Sequence, residues 1–196
     1  MKCSIFIAPS VDGFIATEDG GVHWLETAGK ILSEKEASSD LMKHFNMSMP
    51  NYMKDVDCMI IGRKLMEMLS SFNLTPEQWP YGDTKIIALS HTMKEPSENL
   101  KDRVEMYDGS IPDLITKLDK EGYKHAYVDG GTTITAFLNL ELINEMTLTL
   151  APVLLGSGIR LFGKLQEQIN LGNAQATAFP NNFIEIKYQV TYLNKS

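Results

Sequence analysis

The chain reads as an α/β domain built on a mixed, mainly parallel sheet. Three observations carry that reading. Apolar runs with almost no polar interruption, such as residues 56–61, have the composition of strands buried on both faces. Through the middle of the chain these runs alternate with segments of helical spacing. Near the C-terminus two long alternating stretches, residues 146–155 and 183–193, follow one another without a strong helix between them, which predicts an antiparallel pair at one sheet edge.

Taken in order, residues 4–8 form a short apolar strand closed by Pro9, and the Asp12-Gly13 turn pair leads to a second apolar stretch at 14–16. The loop Glu18-Asp19-Gly20-Gly21 runs to His23-Trp24-Leu25. Ser33, with Glu36 three residues on, makes a capping box that opens a helix over 33–47. The strand at 56–61 passes through Gly62-Arg63-Lys64 into a helical run at 65–69. Residues 70–83, with two prolines and Trp79, read as a loop or lid. Strands then follow at 85–89, 104–107 and 126–128, with helices at 111–118 and 134–142.

Length and charge limit the function classes. The 196 residues suit one domain over 1–196, and 43% hydrophobic with 22% charged residues predicts a packed soluble core. Eighteen basic against 25 acidic residues leave a net charge of −7, and no Lys/Arg run interrupts that balance, so neither a nucleic-acid nor an anionic-membrane surface is expected. No segment reaches the roughly 18 apolar residues of a membrane span, and the N-terminus lacks a secretory pattern, so the expected location is cytoplasmic. Cys3 and Cys58 lie in apolar runs with no C-x-x-C spacing, and the four histidines are scattered; both read as non-metal positions. The Met42–Met53 cluster reads as adaptable packing.

Two strand-to-helix turns carry the candidate chemistry. Arg63 and Lys64 occupy the first turn of a helix, where the dipole disfavours cations by up to about 1 kcal/mol each, so either an anion binds beside them or both side chains extend into water. At Val128-Asp129-Gly130-Gly131-Thr132-Thr133, two glycines permit close backbone approach, and the helix start offers free N–H groups and two hydroxyls to phosphate oxygens. A tight turn with a Thr cap is the plainer alternative. A Rossmann fingerprint, a Walker loop, G-x-S-x-G and the zinc-deaminase signature are all absent from the sequence.

These turns, read with Leu89-Ser90-His91-Thr92, the stretch from Ala8 to Ala16, the stretch from Gly20 to Leu25, and Leu150 to Phe162, resemble the dihydrofolate-reductase-like fold. The resemblance is closest to the reductase domain of bacterial bifunctional riboflavin-pathway deaminase-reductases, and it covers nearly the whole chain. It implies a three-layer α/β domain around a mixed sheet of about eight strands, NADPH across the strand ends, a heterocyclic substrate beside the nicotinamide, and pairing as a homodimer. By that analogy Arg63, with Gly62, Lys64, Ser90 and His91, faces the adenosine 2′-phosphate. Gly130, Gly131, Thr132 and Thr133 hold the pyrophosphate, and Ala8 and Ile15 border the nicotinamide. Trp24 and Thr149 line the substrate pocket, and Arg160 binds a substrate phosphate.

The implied activity is NADPH-dependent reduction of a pyrimidine- or pteridine-like ring, with dihydrofolate reduction or a non-catalytic nucleotide-binding module as alternatives. Three positions depart from the family pattern. Leu65 stands where many relatives have Thr, and His91 where many have Arg, which softens the preference for NADPH. Gly29 stands where true dihydrofolate reductases carry their acid, five residues after Trp24. C=N reduction needs a proton, from a side chain or from ordered water; of the available carboxylates Asp12, Glu26 and Asp40, the candidates are Asp12 and Asp40.

Overall fold

The computed structural model describes residues 1–29 and 49–193. Ten strands are present: β1 Lys2–Ile7, β2 Phe14–Ala16, β3 Cys58–Gly62, β4 Lys85–Leu89, β5 Val104–Tyr107, β6 His125–Asp129, β7 Glu145–Leu150, β8 Ile159–Arg160, β9 Ile169–Ala178 and β10 Ile184–Tyr192. The helices used below are α1 Trp24–Thr27, α2 Arg63–Ser71, α3 Ile111–Lys120 and α4 Gly131–Asn139. Eight strands form one sheet in the order β5-β4-β3-β6-β1-β7-β10-β9, and β2 pairs with β8 in a separate ribbon. From β5 to β7 every pairing is parallel; β10 runs antiparallel to β7 and to β9.

The central strands are apolar on both faces because both faces are covered. Cys58, Met59, Ile60 and Ile61 of β3 are all fully buried. Cys58 and Ile60 belong to the core under α3 and α4, whereas Met59 and Ile61 belong to the core under α2. Local signals fix the helices. Ser110 caps α3 by accepting from the Asp113 N–H at 3.2 Å, Pro112 sits in the first turn, and Leu114 and Leu118 are its buried stripe. Burial pushes the Cys3 thiol up to about 11 and the Cys58 thiol up to about 12, as expected of core cysteines.

The mixed, mainly parallel sheet is as the sequence predicts, with one correction at its border. The stretches around 146–155 and 183–193 do pair antiparallel, as β7 and β10, but β9 covers β10 and forms the edge. Its sequence, INLGNAQATA, carries neither apolar alternation nor β-branched density, because an edge strand with most of its residues exposed needs neither. The helix expected over 33–47, and Asp40 on it, lie outside the described residues. No helix among the described residues is long and apolar enough to cross a membrane.

Parallel wiring places the C-terminal ends of β1, β3, β4, β5, β6 and β7 on one rim. The chain leaves β3 towards β4 and β5 on one side, while β6 flanks β3 on the other. The crevice between the ends of β3 and β6 is therefore a topological switch point, the general location for ligands in open α/β sheets.

Candidate active site at the strand ends

Both turns singled out from the sequence meet at this crevice. A side-chain carbon placed on Gly62, at the end of β3, would come within 2.9 Å of the Thr133 hydroxyl in the first turn of α4. Gly130 has φ +94°, a left-handed backbone that turns β6 into α4. At Gly131 a Cβ would lie 2.5 Å from the Arg160 carbonyl oxygen and 3.3 Å from Ile15 Cδ1, so the β2–β8 ribbon presses on the start of α4 and only glycine fits. Being the first residues of α4, Gly131, Thr132 and Thr133 have amide N–H groups with no intrahelical acceptor. Thr132 is exposed there, and Thr133 is buried.

The cationic turn has a partner that the sequence reading did not include. Arg63 Nη1 donates to Glu67 Oε1 at 2.9 Å, one helical turn on, so the chain itself supplies an anion to Arg63. Lys64 is exposed. Ser90 Oγ accepts the Met93 N–H at 2.9 Å and shapes the turn after β4, and His91 Nδ1 lies 2.9 Å from the Asp108 carbonyl, so that nitrogen carries the proton. Ala8 is buried at the end of β1.

Asp129 is the last residue of β6 and adjoins the two glycines of the turn. Its Oδ1 accepts the Gly130 N–H at 2.7 Å. Its Oδ2 lies 2.9 Å from Tyr127 Oη, which is itself 2.9 Å from the Phe6 carbonyl oxygen. Desolvation by burial raises its pKa against the opposing effect of these two hydrogen bonds. Burial raises the pKa values of two further tyrosines, and the nearby Asp129 carboxylate adds to it: Tyr81, from the long loop before β4, and Tyr52. Tyr52 stacks on Phe6 at 4.8 Å and meets Tyr127 edge-on at 5.3 Å. The carboxyl thus sits at the open end of an aromatic wall. The signal for it was strand parity: Asp129 follows Tyr127 by two residues and shares its face.

Asp12 is placed differently from its predicted role. Its carboxylate accepts the Ser10 hydroxyl at 2.6 Å and the N–H groups of Leu155 and Gly156 at 3.1 and 2.7 Å. These bonds, the Ser10 hydroxyl foremost, hold its pKa down at about 2. It clamps the turn after β1 to the loop after β7, and these bonds favour its ionised form. Arg160 lays its guanidinium on the Phe14 ring at 4.8 Å.

Thr149 is buried on β7, opposite Glu185. Among the described residues the indole Nε1 of Trp24, which is buried, has no hydrogen-bond partner. Gly29 has φ +80°, and a Cβ on it would lie 2.5 Å from the Asn181 carbonyl oxygen, so this backbone leaves no room for an acidic side chain. Among the described residues no group of three or more His, Cys, Asp or Glu is disposed to hold a metal ion.

Comparison with known proteins agrees with this architecture. A structure of a Shewanella sp. PV-4 protein described as belonging to riboflavin biosynthesis superposes with a TM-score of 0.81 at 30% identity, over 98% of this chain and 100% of that one. The uncharacterized protein YwjB of Bacillus subtilis (strain 168) is 29% identical over 171 residues, 87% of each chain. Enterococcus faecalis dihydrofolate reductase, solved in complex with NADP(H), shares the fold at a TM-score of 0.61 and 12% identity, over 97% of each chain. The model of the RibD C-terminal domain matches residues 2–184, and the chain belongs to that riboflavin-biosynthesis-type reductase family, with a dihydrofolate-reductase-like fold.

Proposed function

We propose that this chain is an NADPH-dependent reductase of a pyrimidine- or pteridine-like heterocycle, similar to 5-amino-6-(5-phosphoribosylamino)uracil reductase. The residues present fit a dinucleotide. The start of α4 offers three unsatisfied N–H groups beside two glycines, one left-handed and one without room for a Cβ, as a pyrophosphate requires. Across the crevice Arg63 provides the cation for a 2′-phosphate, with His91 and Ser90 on the neighbouring strand end.

Bound there, the dinucleotide supplies a hydride, which leaves one proton to be added to the ring nitrogen. Asp129 is the group that holds it, and this observation carries the reading. Tyr127 has one hydroxyl proton and two acceptors at 2.9 Å, and the Phe6 carbonyl can only accept. That hydroxyl is shared, donating to the Phe6 carbonyl and to Asp129 Oδ2, and the second bond favours the ionised carboxyl. Burial outweighs it and raises the Asp129 pKa, which favours the neutral form that can deliver a proton. Asp129 is partly exposed at the strand end, so it can be reloaded from water.

Reduction of dihydrofolate itself is disfavoured by Gly29, whose conformation and neighbours exclude the acid. A binding module without chemistry has no need of a neutral carboxyl beside its nucleotide seat. The test is to mix the protein with NADPH and, in turn, a ribosylaminopyrimidine and dihydrofolate, following the nicotinamide absorbance. Oxidation with the pyrimidine and not with dihydrofolate supports the proposal. Tight NADPH binding with no turnover of either compound leaves the module reading in its place.

A further inference from the structure

We infer that the substrate of this site carries an uncharged, polyhydroxylated arm, a ribosyl or ribityl group without a phosphate, and that this arm lies in a polar cavity over β1, β7 and β10. The inference rests on the reading of the chain as a reductase of a pyrimidine- or pteridine-like ring and narrows its substrate class. The cavity has a volume of about 340 Å³; side chains of those three strands wall it, together with Asn51, Tyr52 and Asp55. It adjoins the crevice. Ser4 pairs with Tyr127, so Phe6 and Asp129, each two residues on, stand side by side on one face of the sheet, and Phe6 is part of the cavity wall.

Strand parity gives this face its chemistry. Ile5, Met146 and Leu148 point to the opposite side, into the core under α3 and α4. The alternate residues Ser4, Glu145, Thr147, Glu185 and Lys187 face the cavity, whereas a face that served packing alone would be apolar. Glu185 carries the clearest demand for a ligand. Its side chain is 11% exposed, and among the described residues its carboxylate meets Lys187 Nζ at 3.5 Å and no closer donor. Thr147, opposite Lys187 on β7, has a hydroxyl without a partner among the described residues. A nearly buried carboxylate with open acceptor positions is costly unless donors reach it, and the hydroxyls of a polyol both donate to Glu185 and accept from Thr147 or Lys187.

The charges of the wall select against a phosphate. Its cations are Lys2 and Lys187, and each already has a carboxylate: Lys2 Nζ is 2.7 Å from Glu145 and Lys187 Nζ is 3.5 Å from Glu185. Asp55 adds a third acid, and burial holds His125 neutral between the Asp55 carbonyl and Ser4 Oγ. The wall is therefore net negative, and a phosphate dianion meets repulsion in place of a clamp. Arg160, expected from the sequence to take a substrate phosphate, is not part of this wall; its guanidinium lies on the Phe14 ring. The span also fits. From β6 to β10 there are three strand spacings, about 14 Å, so a ring beside Asp129 covers β1 and a five-carbon arm continues over β7 to Glu185.

The experiment titrates a ribosylaminopyrimidine and its 5′-phosphate into the wild type, Glu185→Gln and Thr147→Val by calorimetry, without dinucleotide, so that binding is read apart from turnover. The wild type should bind the unphosphorylated compound about tenfold or more tightly than the phosphate. Glu185→Gln should weaken that binding about tenfold and Thr147→Val about threefold, with NADPH affinity and melting temperature as in the wild type. Thr147→Val keeps the volume and carries the test should Glu185→Gln fold poorly. Equal or tighter binding of the phosphate, wild-type affinity in the folded variants, or no binding of either compound overturns the inference. Selective binding that the substitutions weaken, with no NADPH oxidation when the dinucleotide is added, keeps the arm in this cavity and overturns the reductase reading instead.

Discussion

Replacing Asp129 by Asn separates a proton donor from a structural acceptor. The Asp129 carboxyl accepts from Tyr127 Oη and from Gly130 N–H; a carboxamide keeps the Gly130 bond with its oxygen and turns its NH₂ to Tyr127 Oη, which still donates to the Phe6 carbonyl. Asp129→Asn should therefore fold as the wild type does and bind NADPH with similar affinity. It has no acidic proton to deliver, so turnover should fall about 10²- to 10⁴-fold, equivalent to about 3–5 kcal/mol of barrier. Asp129→Ala makes the contrast. It strips Gly130 N–H of its acceptor and Tyr127 Oη of one of its two, and should cost about 1–3 kcal/mol of stability besides the activity.

The pH dependence carries a sign. The folded pKa of Asp129 lies above the ordinary 3.8, so between those values the folded protein binds more protons than the unfolded chain. Stability then falls as pH rises through that window, and the wild type should lose melting temperature relative to Asp129→Asn over the same range. Turnover should share the limb, present where Asp129 is neutral and declining as it ionises. The assay is steady-state NADPH oxidation with the pyrimidine across pH, beside thermal melts of both proteins. Near-normal turnover in Asp129→Asn, or a melting difference of opposite slope, would refute the assignment.

Four further outcomes follow from the geometry. Glu67→Gln releases Arg63 and should tighten NADPH relative to NADH, whereas Arg63→Ala should weaken NADPH alone; direct titration with both dinucleotides reads this. Gly131→Ala drives a Cβ to 2.5 Å from the Arg160 carbonyl and should cost about 1–3 kcal/mol in urea unfolding. The depressed pKa of Asp12 gives a stability contribution that is present above the ordinary 3.8 and lost as pH falls towards about 2; an acid melt of Asp12→Asn should lack that loss. His125 is held neutral by burial, its Nδ1–H donating to the Asp55 carbonyl at 2.6 Å and its Nε2 2.7 Å from Ser4 Oγ. The folded state resists protonating it, so stability should fall as pH drops below 6.5, and His125→Gln should flatten that slope in thermal melts.

The wiring was legible where burial dictates composition. A strand covered on both faces must be apolar throughout, so β3 and β4 announce themselves, and the helices on either side show their period and caps. Strand β9 was invisible for the complementary reason. Only one of its neighbours is a strand, most of its residues meet solvent, and a chain with Gly172, Asn173 and three alanines from 169 to 178 gives no pattern to read. The β2–β8 ribbon was half legible, because β8 is two exposed residues whose position depends on the contact with Gly131.

The site shows the same division between backbone and side chain. Glycine pairs signal close approach in the sequence itself, so the seat at 130–133 could be located without coordinates. Asp129 lies one residue away in the same motif, yet its chemistry depends on partners from elsewhere: a carbonyl from β1, Tyr127 from its own strand, and Tyr81 from a loop that read only as a lid. Conversely, Asp12 has the short-range look of a reactive carboxylate in a loop, and the amides of Leu155 and Gly156, more than 140 positions away, make it a clamp. Hydrogen bonds from a hydroxyl and two loop N–H groups lower the pKa of Asp12, while burial raises that of Asp129 against its own two bonds; tertiary neighbours set that difference between two carboxyls that look alike in sequence.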